Sequence, residues 1–206
     1  MTEFLVHIGR RALYATIVCL VLSRGAAVAA PVFLFDFEAD GGQATPYTSP
    51  SNGVSATFSS PAFPFFVEPT LAGSFVLLSG NALFQFLPGS TLNILFSQDI
   101  QFVQLDFGST NPGTLTLTAF DQGGITQVGQ SSAVSSILPG GTNPEGSLSF
   151  EGSTALRSLT LDFTSSDPNA TFAIDNVTNG PEPASMLLFG LGLIALTGAR
   201  RFRSQP

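Results

Sequence analysis

The chain has 206 residues, a formal net charge of −7, twenty phenylalanines and no tryptophan. Its only histidine, His7, and its only cysteine, Cys19, both lie before residue 30. The rest of the chain therefore holds no disulfide framework, no His- or Cys-ligated zinc site and no triad built on imidazole or thiol. From Pro31 to Gly180 one base, Arg157, stands against twelve acids, a charge of −11 that repels nucleic-acid phosphates and excludes a nucleic-acid partner.

The first element, residues 1–29, reads as a signal peptide. Arg10 and Arg11 form a positive start, Ala12–Leu22 is an apolar run of 11 residues, and Ala27 and Ala29 give an A-x-A cleavage pattern. Such a run is well short of the ~20 residues that a membrane-spanning helix needs.

Residues 30–180 read as one domain of about 150 residues, enough for a full hydrophobic core. Period-two alternation recurs along it. In VFLFDFE, Phe33, Phe35 and Phe37 share one face. Strands are expected at Val54–Phe58, Ser74–Leu78, Leu83–Leu87 and Thr91–Phe96, then at FVQLDFG, where Val103, Leu105 and Phe107 point inward. TLTLTAF, Ile125–Gln130, LRSLTLDFTSS and TFAIDNV complete the series. Turn signals such as Ser51-Asn52-Gly53, Asn111-Pro112-Gly113 and Gln122-Gly123-Gly124 separate these runs, while Ala39–Asn52 and Leu138–Ser147 read as loops. No helical stripe is present. The expected class is all-β: an antiparallel, jelly-roll-like β-sandwich, with seventeen of the twenty phenylalanines as its large core side chains.

Three apolar-Asp-Phe triplets centre on Asp36, Asp106 and Asp162. Alternation alone accounts for them, each Asp pointing out between two inward neighbours; a gathered carboxylate site is the competing reading. The stretch Asp36–Gly42 resembles the first half of a calcium loop, but the twelfth position is Tyr47 where such a loop needs Glu. A looser structural calcium site would use Glu38, Asp40 and Asp175, which join the first and last strands. No other cofactor is expected. Scattered carboxylates alone do not make a hydrolase, and the expectation is that the domain is not an enzyme.

The last element, residues 181–206, opens with Pro181-Glu182-Pro183. Residues 184–199 follow as 16 uncharged residues, a helix of about 24 Å if fully wound. This reads as a short transmembrane helix, and Arg200, Arg201 and Arg203 at its end favour a cytoplasmic terminus. Motif, apolar span and basic end, behind an N-terminal leader, resemble the PEP-CTERM sorting signal. The resemblance implies export, recognition at the inner membrane by an exosortase-type processing enzyme, and release to the cell surface or an extracellular exopolysaccharide matrix. It covers the tag and leader only. For the domain two readings stay open: a structural or adhesive surface component, and a carbohydrate-binding module. The second has little aromatic support, since the domain has no tryptophan and only Tyr47.

Overall fold

A computed structural model describes residues 33–179. The expected leader, residues 1–29, and the expected tail lie outside them. That tail comprises Pro181, Glu182, Pro183, the span 184–199 and Arg200, Arg201 and Arg203. Among the described residues no helix is long and apolar enough to cross a membrane.

The described chain folds into eleven antiparallel strands: β1 (Leu34–Phe35), β2 (Tyr47–Ser51), β3 (Val54–Ser59), β4 (Phe65–Pro69), β5 (Asn81–Gln85), β6 (Leu92–Ser109), β7 (Gly113–Phe120), β8 (Gln127–Val134), β9 (Ser136–Ile137), β10 (Pro144–Ser165) and β11 (Phe172–Thr178). The main path runs β4-β5-β11-β6-β10-β7-β8. In addition β1 pairs with β11, β2 with β3, β3 with β6, and β9 with β10. The all-β, antiparallel, sandwich-like expectation is what the chain adopts.

Two long strands organise it. β6 and β10 pair along most of their length, and each serves two half-sheets. The first half of β6 carries β3 at Asn93–Phe96, and its second half carries β11 at Gln104–Ser109. The end of β10 carries β7 and its start carries β9. Between the halves the register slips twice, from Glu151↔Phe102 to Leu156↔Ile100 and then to Ser158↔Leu95. Each strand thus carries surplus residues on its own side of the corner. Such bulges let a strand turn from one sheet into the facing one. The sequence reading expected Thr91–Phe96 and FVQLDFG as separate strands. They are one, because the polar residues between them, Ser97–Asp99, bulge outward without breaking the chain's extended course.

The two halves close over one core. Phe33 meets Phe35 and Phe96 at ring-centroid distances of 5.1 and 5.4 Å, and Phe37 meets Phe58 at 5.3 Å. Phe65 and Phe163 pack against Phe172 at 5.4 and 5.7 Å. The expected inward face of VFLFDFE is correct, but the strand is not seven residues long. The backbone turns left-handed at Phe37 (φ 59°) and enters a single 3-10 turn, Glu38–Asp40.

Residues 70–80 differ most from expectation. Ser74–Leu78 is no strand. It crosses the outer face of the sheet as an irregular strap, and Leu78 packs there on Ala82 and Ala173, flanked by Phe75, Leu77 and Phe84. The ring of Phe75 lies on Gly108, where an added Cβ would come within 2.3 Å of it. Elsewhere the shifts are smaller. Ile125–Gln130 becomes Gln127–Val134, the Leu138–Ser147 loop ends at Pro144, and Ala39–Asn52 contains β2.

Candidate functional site

Two polar features stand out. The first is a row of carboxylates on the outer face, beneath the strap. Glu145 is buried at the start of β10, and its carboxylate accepts Val76 N–H at 2.8 and 2.9 Å and Leu77 N–H at 2.6 Å. Asp175 of β11, 1% exposed, accepts Ser79 N–H at 3.2 Å and Asn176 N–H at 2.7 Å. Glu38 accepts Asn81 N–H at 3.1 Å. A strand in a sheet satisfies its amides with carbonyls; this strap satisfies those of Val76, Leu77 and Ser79 with carboxylates, which a domain with one base has in surplus.

Asp175 is pushed up to about 7, first by burial and further by the nearby charges of Asp106 and Asp36, against the pull of its two backbone hydrogen bonds. Asp106 itself accepts from Ser147 Oγ at 2.6 Å and Asn176 Nδ2 at 3.0 Å. Two of the three apolar-Asp-Phe carboxylates, Asp36 and Asp106, thus face the same buried group. Asp162 does not join them; it accepts from Thr91 Oγ1 at 2.5 Å.

Of the residues expected to bind calcium, Asp175 grips the Ser79 amide on the strap and Glu38 grips that of Asn81, the first residue of β5, two residues further on. Asp40 lies in the 3-10 turn, where its carbonyl accepts Gln43 N–H and its charge, after burial, adds to the upward push on the Tyr47 hydroxyl. Among the described residues no three His, Cys, Asp or Glu side chains form a group suited to a metal ion.

The second feature is an open groove of about 510 Å³ at the corner where β6 and β10 change sheets. Ser55 and Thr57 of β3, Leu95 and Ser97 of β6, Gln122 of the β7–β8 turn and Arg157 of β10 line it. The bulge in β6 puts Asp99 beside it. Arg157 Nη1 donates to Asp99 Oδ1 at 3.1 Å, and Gln122 Nε2 donates to Asp99 Oδ2. Leu95, 51% exposed, adds an apolar rung. A guanidinium, a carboxylate and a carboxamide fixed against one another, with three hydroxyls opposite, can exchange hydrogen bonds with a hydroxyl-rich neutral ligand. Sequence reasoning missed this groove. Its one available signal was Arg157, the sole base of the domain.

No curated protein matches the chain. Solved structures similar to it include isomalto-dextranase of Arthrobacter globiformis T6 complexed with panose, at 10% identity and TM-score 0.37, covering 66% of this chain and 23% of that one. The enzymatically active domain of bacteriophage CBA120 tailspike protein 4 is similar at 19% identity and TM-score 0.35, covering 59% and 18%. A variant of the family 29 carbohydrate-binding module CBM29-2 is similar at 10% identity and TM-score 0.39, covering 74% and 93%. The chain thus spans less than a quarter of the length of the first two. The family described as the PEP-CTERM protein-sorting motif matches residues 181–203. The chain therefore carries a PEP-CTERM sorting signal at its C-terminal end.

Proposed function

We propose that this chain is an exported substrate of an exosortase-type enzyme, and that its β domain is a structural or adhesive component of the cell surface or exopolysaccharide matrix. The carrying observation is the sorting motif at residues 181–203. Behind it stands an acidic β domain whose chemistry-bearing side chains are mostly engaged in holding the fold. In this reading the leader directs the chain across the inner membrane, the short tail helix holds it there, and processing near Pro181-Glu182-Pro183 releases the domain outward. The domain itself has no catalytic role. Fractionating cells with and without the exosortase tests the reading: the domain should reach the surface fraction only when the enzyme is present.

A second reading rests on the Arg157 groove. There the β domain binds neutral carbohydrate through Arg157, Asp99 and Gln122, with Leu95 against an apolar sugar face. A glycan array with the wild-type chain and Arg157→Ala separates the two readings. Reproducible binding to one sugar class, lost in the variant, favours carbohydrate recognition; no binding leaves the structural role.

A further inference from the structure

A carbonyl oxygen accepts hydrogen bonds and donates none, whereas a sugar hydroxyl does both. The balance of donors and acceptors along a groove therefore decides which of them it suits. The Arg157 groove is rich in donors. Of the five N–H groups of a guanidinium, Arg157 gives one to Asp99 at 3.1 Å, and no other acceptor among the described residues takes the rest. Ser55 and Ser97 add hydroxyl donors. Acceptors are fewer. Both oxygens of Asp99 are engaged, Oδ1 by Arg157 and Oδ2 by Gln122 Nε2. Ser97 Oγ already accepts Ser55 N–H at 2.8 Å, and the Thr57 hydroxyl is bonded to that of Thr48 at 2.8 Å. Gln122 Oε1 is left as the main side-chain acceptor.

The same contacts set the electrostatics. Arg157 is the sole base from Pro31 to Gly180, yet Asp99 cancels its charge at contact distance. An anion on the guanidinium would therefore meet the Asp99 carboxylate as well. Asp121, beside Gln122 in the chain, turns its Oδ1 to the amides of Gly123, Ile125 and Thr126. The groove suits an acceptor that carries no charge. Leu95, 51% exposed, gives the lining an open apolar surface. A peptide strand finds no edge to pair with here, because β3, β6 and β10 each have a strand on either side.

We propose that the groove takes the acetamido group of an N-acetylated neutral sugar, and that Asp99 refuses the acidic sugars an unpaired arginine would attract. Arg157 donates to the acetamido carbonyl, Gln122 Oε1 accepts from its N–H, and Leu95 carries its methyl. An unsubstituted sugar offers only a hydroxyl in that place. Asp99 is a positioning and specificity-determining residue: it fixes the Arg157 and Gln122 side chains and supplies the charge that repels a carboxylate. Such recognition rests on the carbohydrate reading of the groove.

The test is a calorimetric titration of the full chain, held in a detergent without sugar groups. The probes are oligosaccharides of equal length: one N-acetylated and neutral, one unsubstituted and neutral, one built of uronic acids. The N-acetylated probe should bind, the unsubstituted one about tenfold more weakly, as expected for losing a bond to a charged donor, and the uronic acid probe should give no heat. Arg157→Ala should abolish the preference between the two neutral probes. Asp99→Asn, checked for an unchanged melting temperature, should begin to bind the uronic acid probe. Equal affinity for the two neutral probes overturns the proposal and leaves carbohydrate binding standing. Uronic acid binding by the wild type, or its absence in a folded Asp99→Asn variant, overturns the role given to Asp99. No heat with any probe overturns the carbohydrate reading and the proposal together.

Discussion

The inner face of the sandwich and its outer strap are held by opposite physics. Inside, phenylalanines from six strands and the β1 approach bury their rings against one another, and the attraction is non-directional. On the outer face, the strap at residues 70–80 buries only a small apolar patch, and Glu145 and Asp175 hold it by its amides, with Glu38 on the Asn81 amide where it enters β5. The first arrangement depends on volume. The second depends on the position of single oxygens and on the charge they carry. A domain with one base has no salt bridges to spare for its buried acids, and so it satisfies them with backbone.

The contrast can be broken most severely from the inside. Phe58 is fully buried and touches Phe35, Phe37 and Tyr47. Phe58→Ala should cost about 3–5 kcal/mol of global stability, read as a lower urea midpoint with all probes moving together. The pH dependence of the outer face comes next. Burial raises Asp175 to about 7 from the ordinary 3.8. Below 3.8 both folded and unfolded chains hold its proton; between that value and about 7 only the folded chain does. Stability should therefore fall as pH rises through this window, by at most about 4 kcal/mol, and level off above it. Asp175→Asn should remove that slope and be the more stable protein at pH 8. Glu145→Gln should cost about 1–3 kcal/mol by weakening the bonds to Val76 and Leu77. Unlike Phe58→Ala, it should speed hydrogen exchange at those two amides while leaving that of the core strands slow. The smallest effect is expected at Arg157. Its ion pair with Asp99 is part-exposed, so Arg157→Ala should change stability by less than about 1 kcal/mol, whatever it does to ligand binding.

The inner face was legible in the sequence because burial leaves a periodic trace. Phe33, Phe35 and Phe37, then Val103, Leu105 and Phe107, alternate as their burial does. The strap was not legible, because Ser74–Leu78 has the β-branched and aromatic composition of a strand and lacks only a neighbour to pair with. The residue that replaces that neighbour, Glu145, is distant in sequence and stood in a stretch read as loop. The corner was hidden for a related reason: a bulge changes the register without changing the composition. The groove followed from the corner, so its residues, scattered over three strands and a turn, left no motif. The sorting signal was legible in full because its recognition depends on order along the chain, and the match to residues 181–203 bears that out.

The central claim is that the C-terminal signal delivers this β domain to the cell exterior by exosortase-type processing. Mass spectrometry of the C-terminus of the surface-fraction protein tests it most directly. The account predicts a chain ending near Pro181-Glu182-Pro183, and no such species in cells lacking the enzyme. Surface protein that still carries Arg200, Arg201 and Arg203, equally abundant without the enzyme, would contradict it.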